Sequence, residues 1–545
     1  MLGSPKIAWI VALLAGAAAG WLIAFPPAGF GERVDFLLYQ RGGFAPGAIV
    51  RAIAGLAVAG ALVAAFHHPG ARDLWARGRA RLAASSAAYV AIMAGIGAIG
   101  LASGATLAAL GVCVQPDSGS YLTFSPERTI GYPLFLALAG AIEGGLTGLP
   151  VAQSGVLLGG LATLAHQLGR VCGDRLAAVV AFAFMAGNAS LLGYAGSILA
   201  ETPFAALLAL HLAAVAALCV RFRWRTALAA GLALGCAILM RPAGYAFLGA
   251  LPALLLLLAK RRVAGTAAVA VAAALPLLAA ATINKTQHGF FATQSIGGYS
   301  LLGHTAHLIE PGMASAFDGL PARIADRTGE FRAEIRSARF PHDAWRAGMN
   351  LYNPQLYGAA LPAIEEWLAE RPADTRPGID DLVGRLAREA IAHDPAGYAR
   401  HVAAQYYGLW LLTFLPHGPL ALRQTVCLGG GATAEAATRL TPVDAFWAIA
   451  TSGQLPALAV AFPACWLAIA FWFFAARRSP AWRLAIYAAL GVNAYFLGFA
   501  TTQVALPRYS VVVEPWLVAL LIALACALAR RDAQNGDGLI ADRSR

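Results

Sequence analysis

Long apolar runs rich in Ala, Leu and Gly are separated along this chain by short clusters of arginine, and that pattern predicts membrane-spanning helices. The runs are continuous and do not alternate residue by residue, which favours helices over a barrel, and a span takes about 20 apolar residues. Basic clusters at 67–81 (HHPGARDLWARGRAR), 170–175, 221–225 (RFRWR), 260–262 (KRR), 477–483 and 530–531 are read as cytoplasmic from the positive-inside bias. With those inside, helices are expected at roughly 6–25, 47–66, 85–112, 150–167, 176–195, 203–220, 226–241, 244–259, 264–283, 444–474, 484–500 and 510–529. Both termini are then cytoplasmic and the spans number twelve.

The pair at 226–241 and 244–259 is short for two spans, yet basic clusters at both ends require an even number of crossings. Arg241-Pro242-Ala243-Gly244 supplies the outer turn. The first run follows Lys6 and reads as a signal anchor, because it is long enough to span and has no convincing small-residue cleavage site before the Pro26-Pro27 turn. This topology gathers 111–140, 193–201, Arg241, 284–443 and 501–508 on one side of the membrane.

Residues 284–443 form the one sizeable polar region, and its arginines fit an outside location because long loops translocate largely regardless of charge. Helical apolar spacing at 361–370 and 379–392 predicts a small, mostly helical extracytoplasmic domain. The stretch 398–415 (YARHVAAQYYGLWLLTFL) is placed as an interfacial helix, since a crossing there would move 477–483 outside. The organisation expected is two N-terminal spans in 1–84, a core in 85–283 with a first outer loop at 113–145, the loop domain 284–443, further spans in 444–530 and a cytoplasmic tail 531–545.

Composition sharpens this picture. Of 545 residues 59% are hydrophobic and 12% charged, about half the roughly 25% charged of soluble proteins. The net charge of +12 sits in clusters between apolar runs, so it reads as topology signal and as lipid or phosphate contacts, with no nucleic-acid partner expected. The seven cysteines show no metal spacing. Only Cys113 and Cys427 fall near the outer face, where a disulfide between them and two unpaired buried thiols are both open.

The stretch 111–140, GVCVQPDSGSYLTFSPERTIGYPLFLALAG, places Asp117, Tyr121, Glu127, Arg128 and Tyr132 between long apolar segments. Ionisable groups near hydrocarbon are costly and tend to mark sites. Asp117 is a candidate general base towards an acceptor hydroxyl, and equally a helix cap or solvated loop acid by residue type alone. Arg128 suits a phosphate, and a Glu127–Arg128 pair is also a common solvated surface feature. Tyr132-Pro133 opens a second apolar segment, 133–142, expected to lie along the interface.

Asp-Ser-Gly-Ser-Tyr-Leu followed by Arg128, Gly131, Tyr132 and Pro133 resembles the first outer loop of the GT-C superfamily of polyprenyl-phosphate-sugar glycosyltransferases, which includes the dolichyl-phosphate-mannose protein mannosyltransferase and aminoarabinose transferase families. The stretch 193–204, GYAGSILAETPF, is similar to a family stretch that makes Glu201 a second acidic candidate, although a helix N-terminal acid favoured by the macrodipole looks the same. GLALGCAILMRPAG at 231–244 resembles the Gly-rich span ending in Arg-Pro and puts Arg241 at the outer face; LPRYSVVVEP at 506–515 resembles the Arg-Tyr opening the last span, with Arg508 and Tyr509. NKTQHGFFATQSIGGYSLLG at 284–303 opens the large loop, and its Lys285 and His288, with His304 and His307 beyond, are candidates for sugar or phosphate contacts; His304 and His307 are equally surface histidines. The chain departs from the family in its two helices before residue 85 and in Ser118, where many relatives carry a second acid.

The resemblance implies an all-α polytopic fold, a GT-C-like bundle of about twelve spans. It implies an inverting transfer of sugar from a polyprenyl-phosphate donor to a hydroxyl of a glycan, lipid or protein, on the periplasmic or extracellular face of a bacterial-type inner membrane. Asp117 and Glu201 would be the catalytic acids, and Tyr121, Arg128, Tyr132, Arg241, Lys285, His288, Arg508 and Tyr509 would bind substrate, with a divalent cation left open. Two other classes compete: a transporter or flippase of a lipid-linked or anionic substrate, which would show midplane charges and a repeated half, and a non-catalytic scaffold. No repeat is visible, and the ionisable groups lie at helix ends.

Overall fold

The computed structural model describes residues 69–109, 111–143, 145–258, 260–338, 341–372, 378–412, 461–470 and 479–542. The expected helices at 6–25 and 47–66, and most of 444–474, lie outside the described residues. Within them the chain is helical, and β-pairing is confined to one isolated parallel bridge between Cys113 and Ser197. Six helices are long and apolar enough to cross a membrane: Ser86–Ala109, Leu149–Cys172, Glu201–Val220, Arg262–His288, Pro480–Ala500 and Arg508–Leu528. The chain is an all-helical, polytopic membrane protein.

The Glu201–Val220 helix forms the centre and buries most of its residues between Leu149–Cys172 and Trp224–Met240. In lipid, helices associate by close packing of small residues, and the sequence supplies them. A Cβ on Gly160 would meet the Ala206 carbonyl oxygen at 2.7 Å, and Cβ atoms on Gly231 and Gly235 would overlap the Val269 and Ala273 carbonyl oxygens. His211, buried inside the bundle, is paired on both ring nitrogens: it bonds the Ala230 carbonyl and the Tyr487 hydroxyl, both at 2.8 Å.

Two expected spans take a different local form. The one at 176–195 ends its regular helix at Ala186; Asn188 then accepts a bond from the Leu191 amide at 2.9 Å and starts the short helix Ala189–Gly193 and the 3₁₀ turn Tyr194–Gly196. The short segment expected at 244–259 winds as a 3₁₀ helix from Pro242 to Ala253, followed by Leu254–Leu257. At about 2 Å rise per 3₁₀ residue this segment reaches about 30 Å, the thickness of the hydrocarbon core, which an α-helix of the same length would not.

Between the Arg262–His288 and Pro480–Ala500 helices lies a second helical unit with its own core, including Leu302, Ile309, Ile324, Leu356, Trp367 and Leu386. Its helices Leu361–Ala369 and Ile379–His393 match the expected ones. The segment expected to be interfacial forms the helix Pro395–Leu412, which packs on Pro341–Asn353 and Pro480–Ala500; Tyr406 donates to Asn493 Oδ1 at 2.5 Å. The first loop, the 193–201 stretch, Arg241, the loop domain and the 501–508 segment gather at one end of the bundle, joined by bonds such as Ser295 N to the Pro126 carbonyl (3.1 Å) and Gln503 Nε2 to Ser300 Oγ (2.7 Å).

Candidate active site

The first loop is folded onto the 193–201 stretch before any charge is placed. Cys113 N donates to the Gly196 carbonyl at 2.8 Å, and Ile198 N returns a bond to the Cys113 carbonyl at 3.0 Å. Gln153, from the Leu149–Cys172 helix, donates to the Ala195 and Ser197 carbonyls, both at 2.9 Å, and accepts from the Tyr132 hydroxyl at 3.4 Å. Gly131 lets the following helix, Gly131–Glu143, approach the end of Trp224–Met240, since a Cβ there would lie 2.6 Å from the Leu239 carbonyl carbon and oxygen. Cys113 is disulfide-bonded; Cys427 lies outside the described residues.

On that frame five charged side chains form a ladder. Asp117 Oδ1 accepts from Arg128 Nη2 at 2.8 Å and Oδ2 accepts from Arg508 Nη1 at 3.2 Å. Arg508 Nε lies 3.8 Å from Glu201 Oε1, which meets Arg241 Nη1 at 2.6 Å. Three guanidiniums and two carboxylates leave one positive charge. The ladder is graded: Asp117, Arg128 and Arg508 are 22–28% exposed, whereas Glu201 is 2% exposed. The Asp117 end is therefore the one open to solvent.

Aromatic rings support the arginines. Arg128 lies over Tyr121 with 5.1 Å to the ring centroid, and Tyr121 meets Tyr132 edge-on at 4.9 Å. Arg241 and Arg508 both lie over Tyr509, at 4.6 and 5.0 Å, and Arg508 Nη2 also bonds the Tyr509 hydroxyl at 3.0 Å. Such cation–π contacts pre-position a guanidinium without neutralising it.

Asp117 stands at the N-cap position of the short helix Ser118–Leu122, yet its side chain makes no capping bond, so the cap reading fails. Burial would raise its carboxyl, but Arg508 and Arg128, with Arg241 further off, outweigh burial and hold it below the usual carboxylate range. Glu201 is more than a favourable helix-terminal acid, being buried and ion-paired. Ser118 is buried and donates to the Ile198 carbonyl at 3.1 Å. The donor set does not suit a divalent cation: both Asp117 oxygens and Glu201 Oε1 face guanidiniums, which repel a metal ion.

Eight of the ten residues singled out in the sequence thus come together: Asp117, Glu201, Tyr121, Arg128, Tyr132, Arg241, Arg508 and Tyr509. Lys285 and His288 do not join them. Lys285 Nζ bonds the Gly289 carbonyl at 2.9 Å at the end of its own helix, and His288 stacks on Phe290 at 6.1 Å; both side chains are exposed. His304 and His307 are buried, which corrects the surface reading. Sequence reasoning missed Gln153, whose only signal was an uncharged polar residue in an apolar helix, and Ser120, which accepts from Arg128 Nε at 2.9 Å.

No protein-family model matches the chain, and no curated protein matches its sequence. Among solved structures it is similar to the crystal structure of ArnT from Cupriavidus metallidurans bound to undecaprenyl phosphate, with 16% identity and a TM-score of 0.29 over 79% of this chain and 78% of that chain. A likeness that loose bears neither on the reaction nor on the role of any residue.

Proposed function

We propose that the chain is a GT-C-type glycosyltransferase that moves a sugar from a polyprenyl-phosphate donor to a hydroxyl of a glycan, lipid or protein at the outer face of the membrane. One observation carries this reading: Asp117 is held between Arg128 and Arg508, at an end of the bundle where apolar helices converge. A carboxylate beside a cationic, aromatic-backed cradle suits a reaction that takes a proton on one side and releases a phosphate on the other.

The acceptor oxygen attacks the anomeric carbon. The bond from that carbon to the phosphate oxygen breaks with its electron pair on the phosphate, and the acceptor proton passes to Asp117. Inversion follows from a single displacement. Arg508 and Arg128, with Arg241 behind them, stabilise charge growing on the leaving phosphate. With an arginine on each oxygen Asp117 is a weak base; a donor phosphate competing for Arg508 frees one carboxylate oxygen and strengthens it. Glu201 acts as a positioning residue that holds Arg241 and Arg508 from the buried side.

The test is transfer by the purified protein from a panel of radiolabelled polyprenyl-phosphate sugars to a membrane extract. Label moving into the extract with release of polyprenyl phosphate supports the reading. No transfer from any donor, with ion- or lipid-driven transport by the same preparation in vesicles, overturns it in favour of a transporter.

A further inference from the structure

Three histidines meet in the loop domain, away from the ladder. His304 lies in the helix Gly297–Thr305, His307 in the 3₁₀ turn Ala306–Leu308 and His401 in Pro395–Leu412. The His401 ring lies 4.3 Å from that of His304 and 4.7 Å from that of His307 between centroids, and all three are buried. Among the described residues, both ring nitrogens of His401 and Nδ1 of His307 have no hydrogen-bond partner, while the Ala500 backbone acts on His304 as an acceptor. Buried polar atoms are nearly always paired, so such a concentration calls for a cause.

The surroundings disfavour a proton, because burial outweighs the Ala500 backbone acceptor at His304 and the Gln355 contact at His307. Tyr398 meets His304 edge-on at 6.0 Å, Gln355 bonds His307, and Gln405 lies beside His401 against Gly348. The charged groups acting on the cluster are cations: Arg332, which donates to the His307 carbonyl at 3.1 Å, and Arg336, itself paired on the surface with Glu310 at 2.7 Å and Asp394 at 3.9 Å.

The same helices hold the segment that carries Arg508. Tyr398 donates to the Thr501 carbonyl at 2.6 Å, Gln405 Oε1 accepts from the Ala505 amide at 2.8 Å, and Trp345 Nε1 donates to the Ala505 carbonyl at 3.3 Å. Gln503 reaches back to Ser300 Oγ at 2.7 Å, four residues before His304. Tyr398 and Gln405 thus touch both the imidazoles and the segment.

We propose that His304, His307 and His401 form a proton-sensitive latch that seats the loop domain on the 501–508 segment, so that protonation of the cluster unseats the segment and with it Arg508. The latch concerns docking and holds whether or not the chain transfers sugars. Burial, and for His304 and His307 the neighbouring rings, keep these two well below the usual imidazole range, with Arg336 and Arg332 adding to the effect on His307; burial brings His401 to about 4. The neutral rings contribute their full stability above the ordinary imidazole pKa of about 6.5, and that contribution is lost as pH falls through the folded value. For a ring that titrates near 6.5 when unseated and near 4 when seated, the opening equilibrium rises roughly thirtyfold between about pH 7.5 and about pH 5.

The test is backbone hydrogen exchange of the full chain in detergent, corrected for intrinsic rates, read at 500–506 and 508–510 at those two pH values. Wild-type protein should open at least tenfold more readily at the acidic value (~tenfold, allowing for partial unseating), and His401→Gln and His307→Gln should each show a smaller acid response. A wild-type segment equally protected at both values overturns the latch. So does a loss of protection in the folded variants that is the same at both values, which marks the histidines as packing only. Should neither variant fold, the wild-type comparison decides alone.

Discussion

Arg508 lies 391 positions from Asp117 in the chain, and its Nη1 donates to Asp117 Oδ2 at 3.2 Å. The contact joins the loop after the Ser86–Ala109 helix to the start of the last membrane helix, and so closes the ladder begun by Arg128.

Arg508→Lys retains the charge and loses the fork that reaches Asp117, the Tyr509 hydroxyl and Glu201 together. Transfer is expected to fall by roughly 10- to 100-fold in kcat/KM for the donor, corresponding to about 1.5–3 kcal/mol for a charge-assisted bond. Steady-state kinetics with a fixed acceptor and varied donor measure it.

Glu201→Gln removes the carboxylate that faces buried Arg241 at 2.6 Å. Breaking one side of such a pair costs about 3–5 kcal/mol, so a clear drop in thermal midpoint in detergent is expected. Arg241→Met in the same chain should restore part of it, because no unpaired buried charge remains; a double variant less stable than the sum of the singles goes against the pairing.

Asp117 has its carboxyl held below the ordinary carboxylate range by the arginines, which overcome its burial. The ionised pair therefore stabilises the fold above the unfolded carboxylate pKa, and that stability is lost as pH falls through the lower folded value. A loss of kcat/KM as pH falls from about 6.5 towards about 5 is expected to come from opening of the histidine latch, whose rings reach the ordinary imidazole range only once unseated. His401→Gln should reduce that loss, whereas Arg128→Gln, by removing one of the guanidiniums that hold the Asp117 carboxyl down against its burial, should raise the pH of a separate acid limb that belongs to Asp117.

Gly131→Val should displace the first loop, since even a Cβ there would lie 2.6 Å from the Leu239 backbone. Overpacking of this kind costs about 1–3 kcal/mol, and transfer should fall further than stability because Tyr132 and the loop move with it. Circular dichroism melts beside transfer rates separate the two effects.

Much of this site is legible in the sequence because its residues lie at the ends of apolar runs, where a charge stands out. Asp117, Arg241 and Arg508 are each marked in this way, and one-sided topology predicts that they can meet. Their pairing is not legible, because Glu201–Arg241 and Asp117–Arg508 depend on how helices cross, which glycines such as Gly160 and Gly231 set through backbone approach. Local winding is also hidden: nothing in Pro242–Ala253 distinguishes a 3₁₀ coil from an α-helix by apolar period. The histidines mislead for a related reason. His304 and His307 sit in a polar region, and the return of Pro395–Leu412 packs His401 against both of them.

The most direct measurement is single-turnover transfer by Asp117→Asn beside wild type, with donor saturating and the thermal midpoint recorded on the same samples. Asn keeps the size, and its single Oδ1 can accept from one of the two arginines while its Nδ2, a donor, faces the other; it cannot take the acceptor proton. A fall in rate of about 10²- to 10⁴-fold with the fold and donor binding retained is the expected result. Transfer at the wild-type rate would contradict Asp117 as the base and, with it, the proposed mechanism.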